Sequence, residues 1–258
     1  QVFYRAFFVV AGGAVLLLKL GYFGLIVANL FGVSLLALIC WRRVKILGIS
    51  FGPINPREWL NLLRASIPFG IIGFALGLSY KFDSILLNIT RSDAETGFYN
   101  AAYSLVFSLV FFSNALNTSL YPSISRESVR NPTNLPRIYS RVIRYLAIAS
   151  LPIAFGATAL ASKIIPFLYG QKYLEAIPAF RILIWVLPLM FFSEFLGYVV
   201  VIDNKEKYVA RAVLISTSLN VLFNLLLVPR FGLMAAASMT VFTEIVLVSQ
   251  YIFSVRGS

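Results

Sequence analysis

The sequence predicts an all-α membrane protein of about eight transmembrane helices, and three observations carry that expectation. Of the 258 residues, 59% are hydrophobic and only 12% charged, with a mean hydropathy of +0.85. A water-soluble domain of this size cannot hide so much apolar surface, because its outer face must meet solvent. The apolar residues come in solid runs of about 20, the length that carries a helix across the hydrocarbon core. Solid runs also exclude a transmembrane barrel, whose strands alternate apolar and polar residues.

Eight runs are legible, at 2–20, 22–41, 66–90, 97–121, 139–161, 180–202, 209–228 and 233–253. The breaks between them hold charge or turn signals. Among these are Gly21, the basic cluster Arg42-Arg43-Val44-Lys45, the turn Arg91-Ser92-Asp93-Ala94-Glu95, and Pro229-Arg230-Phe231-Gly232. The stretch 55–64 mixes Arg57, Glu58 and Arg64 with Trp59 and Leu60 behind Pro56, the composition of a short interfacial helix feeding the third span.

The net charge of +12 does not point to nucleic acid, since the basic residues lie between apolar runs rather than along one soluble face. They sort by side instead. Arg42, Arg43, Lys45, Arg57, Arg64, Arg126, Arg130, Arg137, Arg141, Arg144, Lys205, Lys207, Arg211 and Arg256 fall on one side, joined by Arg5. Lys19, Arg91, Lys163, Lys172, Arg181 and Arg230 fall on the other. By the positive-inside rule the first side is cytoplasmic, and both ends of the chain lie there, the expected location being the plasma membrane.

A lone cysteine, Cys40, excludes an intrachain disulfide, and the absence of histidine excludes His-based catalysis and His-ligated metals. No cofactor and no catalytic cluster are expected. The chain opens on Gln1 directly into an apolar run and is read as a fragment of a longer protein.

The octet Gly21-Tyr22-Phe23-Gly24-Leu25-Ile26-Val27-Ala28 is echoed by Pro229-Arg230-Phe231-Gly232-Leu233-Met234-Ala235-Ala236, 208 residues later. Six runs lie within that offset, and an even number preserves orientation, as in a parallel repeat of a six-helix lobe. On this reading residues 1–45 are the last two helices of one lobe, 46–65 a cytoplasmic linker with the interfacial helix, and 66–258 a complete second lobe.

Polar groups inside the spans each need a reason, since a charge near the bilayer centre costs at least ~2.5 kcal/mol. Glu244 lies midway along the last span beside Thr243, and Glu194 nearer the cytoplasmic end of the sixth, with Tyr198 one turn on. Each either lines a wet cavity, where it could bind a proton or cation, or forms an interhelical hydrogen bond or snorkels. Lys81 and Asp83 point about 200° apart on their helix, so they do not pair and need partners elsewhere.

Asn100, Tyr103, Asn114, Asn117 and Tyr121 share one side of the fourth span, interrupted by Phe107 and Phe111. Asn220 and Asn224 stand one turn apart in the seventh, after Ser216. Such faces line a cavity or hold helices together. Gly70, Gly73 and Gly77 give the third span a small-residue face suited to close packing or bending, and Pro152 and Pro188 mark possible bends.

Several motifs are shared with a known family. Lys81-Phe82-Asp83-Ser84-Ile85-Leu86-Leu87 followed by Gly97-Phe98-Tyr99-Asn100-Ala101-Ala102-Tyr103 resembles the polysaccharide flippases of the multidrug/oligosaccharidyl-lipid/polysaccharide exporter superfamily. So do Tyr121-Pro122-Ser123-Ile124-Ser125-Arg126, Ile165-Pro166-Phe167-Leu168-Tyr169-Gly170-Gln171-Lys172-Tyr173 and the turn Val228-Pro229-Arg230-Phe231-Gly232-Leu233.

The resemblance implies two six-helix lobes around a central cavity and translocation of lipid-linked oligosaccharide by alternating access. Its expected partners are a polyprenyl pyrophosphate-type substrate, membrane lipids and a coupling H+ or Na+. The cavity candidates are then Lys81, Asp83, Asn100, Asn114, Asn117, Glu194, Asn220, Asn224 and Glu244, with Lys81 foremost for attracting pyrophosphate. Arg141 and Arg144 are candidates to meet the headgroup at the cytoplasmic mouth. A cation-coupled multidrug exporter of the sister branch, or a membrane glycan polymerase or ligase, stands as an alternative.

The sidedness is directly checkable. In a Cys40→Ser background, Asn131→Cys should react with a membrane-impermeant maleimide only once the cytoplasmic face is opened, and Lys172→Cys in intact cells. The reverse pattern would invert the assignment.

Overall fold

In a computed structural model of the chain, residues 11–13, 15, 21–48, 56–203 and 205–256 are described. Seven helices are bounded among them: α1 (Gly21–Ile46), α2 (Pro56–Thr90), α3 (Asp93–Arg130), α4 (Leu135–Tyr169), α5 (Ala176–Leu183), α6 (Val186–Ile202) and α7 (Glu206–Arg256). No strand occurs among the described residues. The first expected span, 2–20, lies almost wholly outside them. The protein is an all-α, multi-pass membrane protein, with six segments long and apolar enough to cross a bilayer among the described residues.

The chain divides into two units, Gln1–Asn61 and Leu62–Ser258. In the first, α1 carries Phe23, Leu30 and Phe31 exposed, as a helix solvated by lipid does. It ends on the basic cluster, where the Lys45 ammonium lies 5.9 Å from the centre of the Trp41 ring, an interfacial pairing of cation and aromatic face. The stretch 56–64 is helical and continuous with the third span within α2.

The second unit is built around α6. Its buried side chains include Leu187, Phe191, Phe195 and Val199, which meet Tyr99, Ala102 and Val106 of α3 and Ala154, Ala161 and Ile165 of α4 in one core. Along α4 the buried residues Val142, Leu146, Ser150, Ala154, Ala161 and Ile165 repeat at helical spacing and form one stripe. Its other faces show Tyr145, Ile148, Phe155 and Phe167 to the outside. Small residues in the stripe let helix axes approach closely, the packing mode available where lipid removes any hydrophobic drive between helices.

The sixth span begins earlier than expected and is broken. Residues 176–202 form α5 and α6 with a turn at Ile184–Trp185. Pro188 accounts for the break, because it has no N–H to offer the carbonyl of Ile184 and its ring crowds that carbonyl. The fourth span also differs, since α3 runs 38 residues and continues past Pro122 to Arg130. Inside that extension the Arg126 side chain donates to the Pro122 carbonyl at 3.1 Å.

At 51 residues, α7 is far too long for one crossing of a roughly 30 Å core. It is a hairpin of two arms, 206–231 and 233–256, folded at Gly232. Gln250 donates to the Ala212 carbonyl at 3.3 Å, and Asn220 reaches Thr243 at 3.4 Å, so the arms run antiparallel.

Gly232 adopts φ 58° and ψ −140°, a conformation open essentially to glycine. The turn is fastened to the α2–α3 turn at the same end. Ser92 caps α3 by accepting from the Glu95 N–H at 3.2 Å. Glu95 in turn accepts from the Leu233 N–H at 2.7 Å, satisfying the start of the second arm. Arg91 pairs with Glu95 at 3.5 Å and reaches the Arg230 carbonyl at 3.4 Å.

A side chain at Gly232 would therefore be strained by its backbone and collide with the Glu95 carboxylate. Gly232→Ala should destabilise the protein by roughly 2 kcal/mol or more, seen as a lower thermal midpoint in detergent. An unchanged midpoint would show that the turn is not fixed in this way.

Candidate functional site

The second unit encloses a cavity of about 450 Å³ between α2, α3, α6 and both arms of α7. Its polar lining gathers Asn114 from α3, Ser193 and Glu194 from α6, Ser216, Thr217 and Asn220 from the first arm of α7, and Thr240, Thr243 and Glu244 from the second. Tyr103, Phe107, Tyr198 and Tyr251 contribute rings. Among the described residues, neither Lys nor Arg lines it.

The two glutamates are held by donors from neighbouring helices. Asn114 donates to Glu194 Oε1 at 2.9 Å and Asn117 to Oε2 at 3.4 Å, which ties α3 to α6. Ser193, one residue before Glu194, donates to Glu244, which ties α6 to the second arm of α7. The expected polar face of the fourth span thus meets a carboxylate on its Asn114–Asn117 patch. At the same level Tyr121 packs on Tyr198, ring centres 5.2 Å apart. Phe107 stacks on Tyr103 at 4.0 Å and is itself cavity wall, whereas Phe111, the other aromatic interruption of that face, is exposed.

Asp83 sits behind this cavity, 2% exposed. Tyr99 and Thr240 each donate to its Oδ2 at 2.8 Å, and Asn224 to its Oδ1 at 2.8 Å. One carboxylate therefore joins α2, α3 and both arms of α7. Ser79, one turn before it, adds a 3.1 Å bond to Thr217. A buried carboxylate in an apolar medium is tolerable only with such a set of donors.

The structure separates the remaining candidates. Lys81 is exposed and does not line the cavity, as its 200° offset from the buried Asp83 requires. Asn100 is also exposed and accepts from Ser84 at 2.6 Å. Asn220 faces the cavity, whereas Asn224, one turn on, is committed to Asp83. Arg141 and Arg144 lie exposed on α4. Gly70, Gly73 and Gly77 face open space rather than a neighbouring helix in the described residues.

Tyr99, Ser193 and Tyr251 escaped the sequence reading. A Tyr or Ser inside an apolar helix carries no charge penalty to flag it, and only the fold shows which acceptor it meets.

Apolar helices around a cavity that carries two glutamates, amides and hydroxyls define a multi-pass membrane protein with polar groups gathered inside its membrane-spanning part. The chain belongs to the polysaccharide biosynthesis protein family, whose model matches residues 1–178. It is 30% identical over 190 residues to an uncharacterized membrane protein of Methanocaldococcus jannaschii, covering 70% of this chain and 37% of that one. It is 24% identical over 187 residues to the probable low-salt glycan biosynthesis flippase Agl15 of Haloferax volcanii, covering 72% and 39%. The chain thus spans about two-fifths of the length of each of these relatives.

Removing the Asp83 carboxylate should cost about 2 kcal/mol, three interhelical bonds at roughly 0.6 each. Asp83→Ala should lower the thermal midpoint in detergent clearly more than Asp83→Asn, which keeps an acceptor for the two hydroxyls. Equal effects would show that the carboxylate is not the hub.

Proposed function

We propose that this chain is part of a flippase that moves lipid-linked oligosaccharide across the plasma membrane for cell-surface glycan synthesis. The observation that carries the reading is a cavity among apolar helices that carries two glutamates, amides and hydroxyls, in a chain of the polysaccharide biosynthesis protein family. The cavity volume falls in the ~300–1,000 Å³ range of small-molecule sites, enough to shelter a hydrophilic group from hydrocarbon. The likeness to a relative called a probable glycan biosynthesis flippase supports the same substrate class.

In this reading residues 66–258 form one six-helix lobe and 1–45 the end of another, and alternating access exposes the cavity first to the cytoplasm and then outside. The glycan travels in the cavity while the polyprenyl tail stays in lipid. Arg141 and Arg144 meet the pyrophosphate at the cytoplasmic mouth, and Glu194 and Glu244 are the carboxylates through which H+ or Na+ drives the cycle.

A second reading has one specific support. Two carboxylates among aromatic rings also suit a lipophilic cation, the cargo of a multidrug exporter. Deleting the full-length gene distinguishes the two. The flippase reading expects lipid-linked glycan to accumulate on the cytoplasmic leaflet and surface glycan to fall, with drug sensitivity unchanged. Normal surface glycan together with increased sensitivity to cationic dyes would replace it with the exporter.

A further inference from the structure

We infer that the cavity of this lobe accepts an uncharged, hydroxyl-rich sugar unit and rejects an anionic one, and that it does so through a surplus of hydrogen-bond acceptors. The identity of the occupant as a glycan rests on the flippase reading; the preference for donors over anions rests on the cavity itself.

Several hydroxyl donors of the lining are engaged, Ser79 with Thr217, Thr217 with the Ala75 carbonyl, Thr240 with Asp83 and Thr243 with the Met239 carbonyl. The amides of Asn114 and Asn117 end on Glu194, and the Ser193 hydroxyl ends on Glu244. The Asn220 amide N–H points to Thr243. Acceptor capacity remains at the two glutamates and at Asn220. Each carboxylate oxygen can take more than the one bond it receives from these donors. Asn220 is 3% exposed, lines the cavity, and its carbonyl oxygen has no partner among the described residues. A buried acceptor left unpaired is costly, so the missing donor is expected from the occupant.

A phosphate or a uronic acid brings only further acceptors and a negative charge. Beside two carboxylates, with no Lys or Arg among the described lining residues, that charge is repelled in a medium of low dielectric. A neutral sugar ring brings the opposite inventory, with several hydroxyl donors around its edge. Its apolar C–H face has the stacked Tyr103–Phe107 pair to pack against. The pyrophosphate of a lipid-linked substrate is therefore held elsewhere, and the cavity reads the glycan.

The test uses purified full-length protein in detergent and three soluble probes: a neutral hexose trisaccharide, its counterpart ending in a uronic acid, and inorganic pyrophosphate. By titration calorimetry the neutral trisaccharide should bind about tenfold or more tighter than the acidic one, and pyrophosphate should not displace it. Asn220→Ala should weaken the neutral sugar about tenfold, one hydrogen bond's share. The isosteric pair Glu194→Gln with Glu244→Gln, checked for an unchanged thermal midpoint, should close most of the gap between neutral and acidic sugars.

Equal binding of the two sugars, displacement by pyrophosphate, or no binding of the neutral sugar would overturn the inference. Fluorescent lipid-linked neutral glycan in proteoliposomes tests the other premise separately. Binding as expected with no translocation would sink the flippase reading and leave the cavity's preference intact.

Discussion

The second unit depends on one constraint: every carboxylate placed inside its helices must find donors there, because lipid offers none. Asp83 meets that constraint most completely. Its two oxygens collect a phenol, a hydroxyl and an amide from α3 and the two arms of α7. Hydrophobic contact cannot select this arrangement, since one apolar helix face suits lipid as well as it suits another helix. The carboxylate specifies which helices come together and in what rotation, as a buried polar residue does in a coiled coil.

The same logic divides the polar residues into those that hold the lobe and those that serve its cavity. Glu194 and Glu244 are tied to α3 and α6 by short side-chain bonds, yet each keeps a face toward open volume. Asp83 is enclosed on all sides. Cavity lining and architecture draw on the same chemistry, and the difference is whether the donors surrounding a carboxylate enclose it.

Much of this was legible in the sequence, and the rest was not for definable reasons. Runs of apolar residues locate the helices but not their ends, since α2, α3 and α4 run 35 to 38 residues, well past what the hydrocarbon core needs. The turn at Gly232 is announced by Pro229-Arg230-Phe231-Gly232, and Pro188 announces the break between α5 and α6. Helical geometry also shows that Lys81 and Asp83 face apart, but not which of them faces inward. The interior position falls to Asp83 because Tyr99, Asn224 and Thr240 stand opposite it, and those lie 16, 141 and 157 residues along the chain. Likewise Asn220 and Asn224 look alike in sequence, and only the neighbouring helices give one to the cavity and the other to Asp83.

The α7 hairpin is secured to α2 and α3 at two levels, at the turn through Glu95 and Arg91 and within the helices through Asp83. Two separated fastenings suppress both rotation about either one and sliding along the helix axes. The three helices are thereby locked to one another as a single strut, while the turn at Ile184–Trp185 interrupts the helical backbone bonding outside that strut, between α5 and α6.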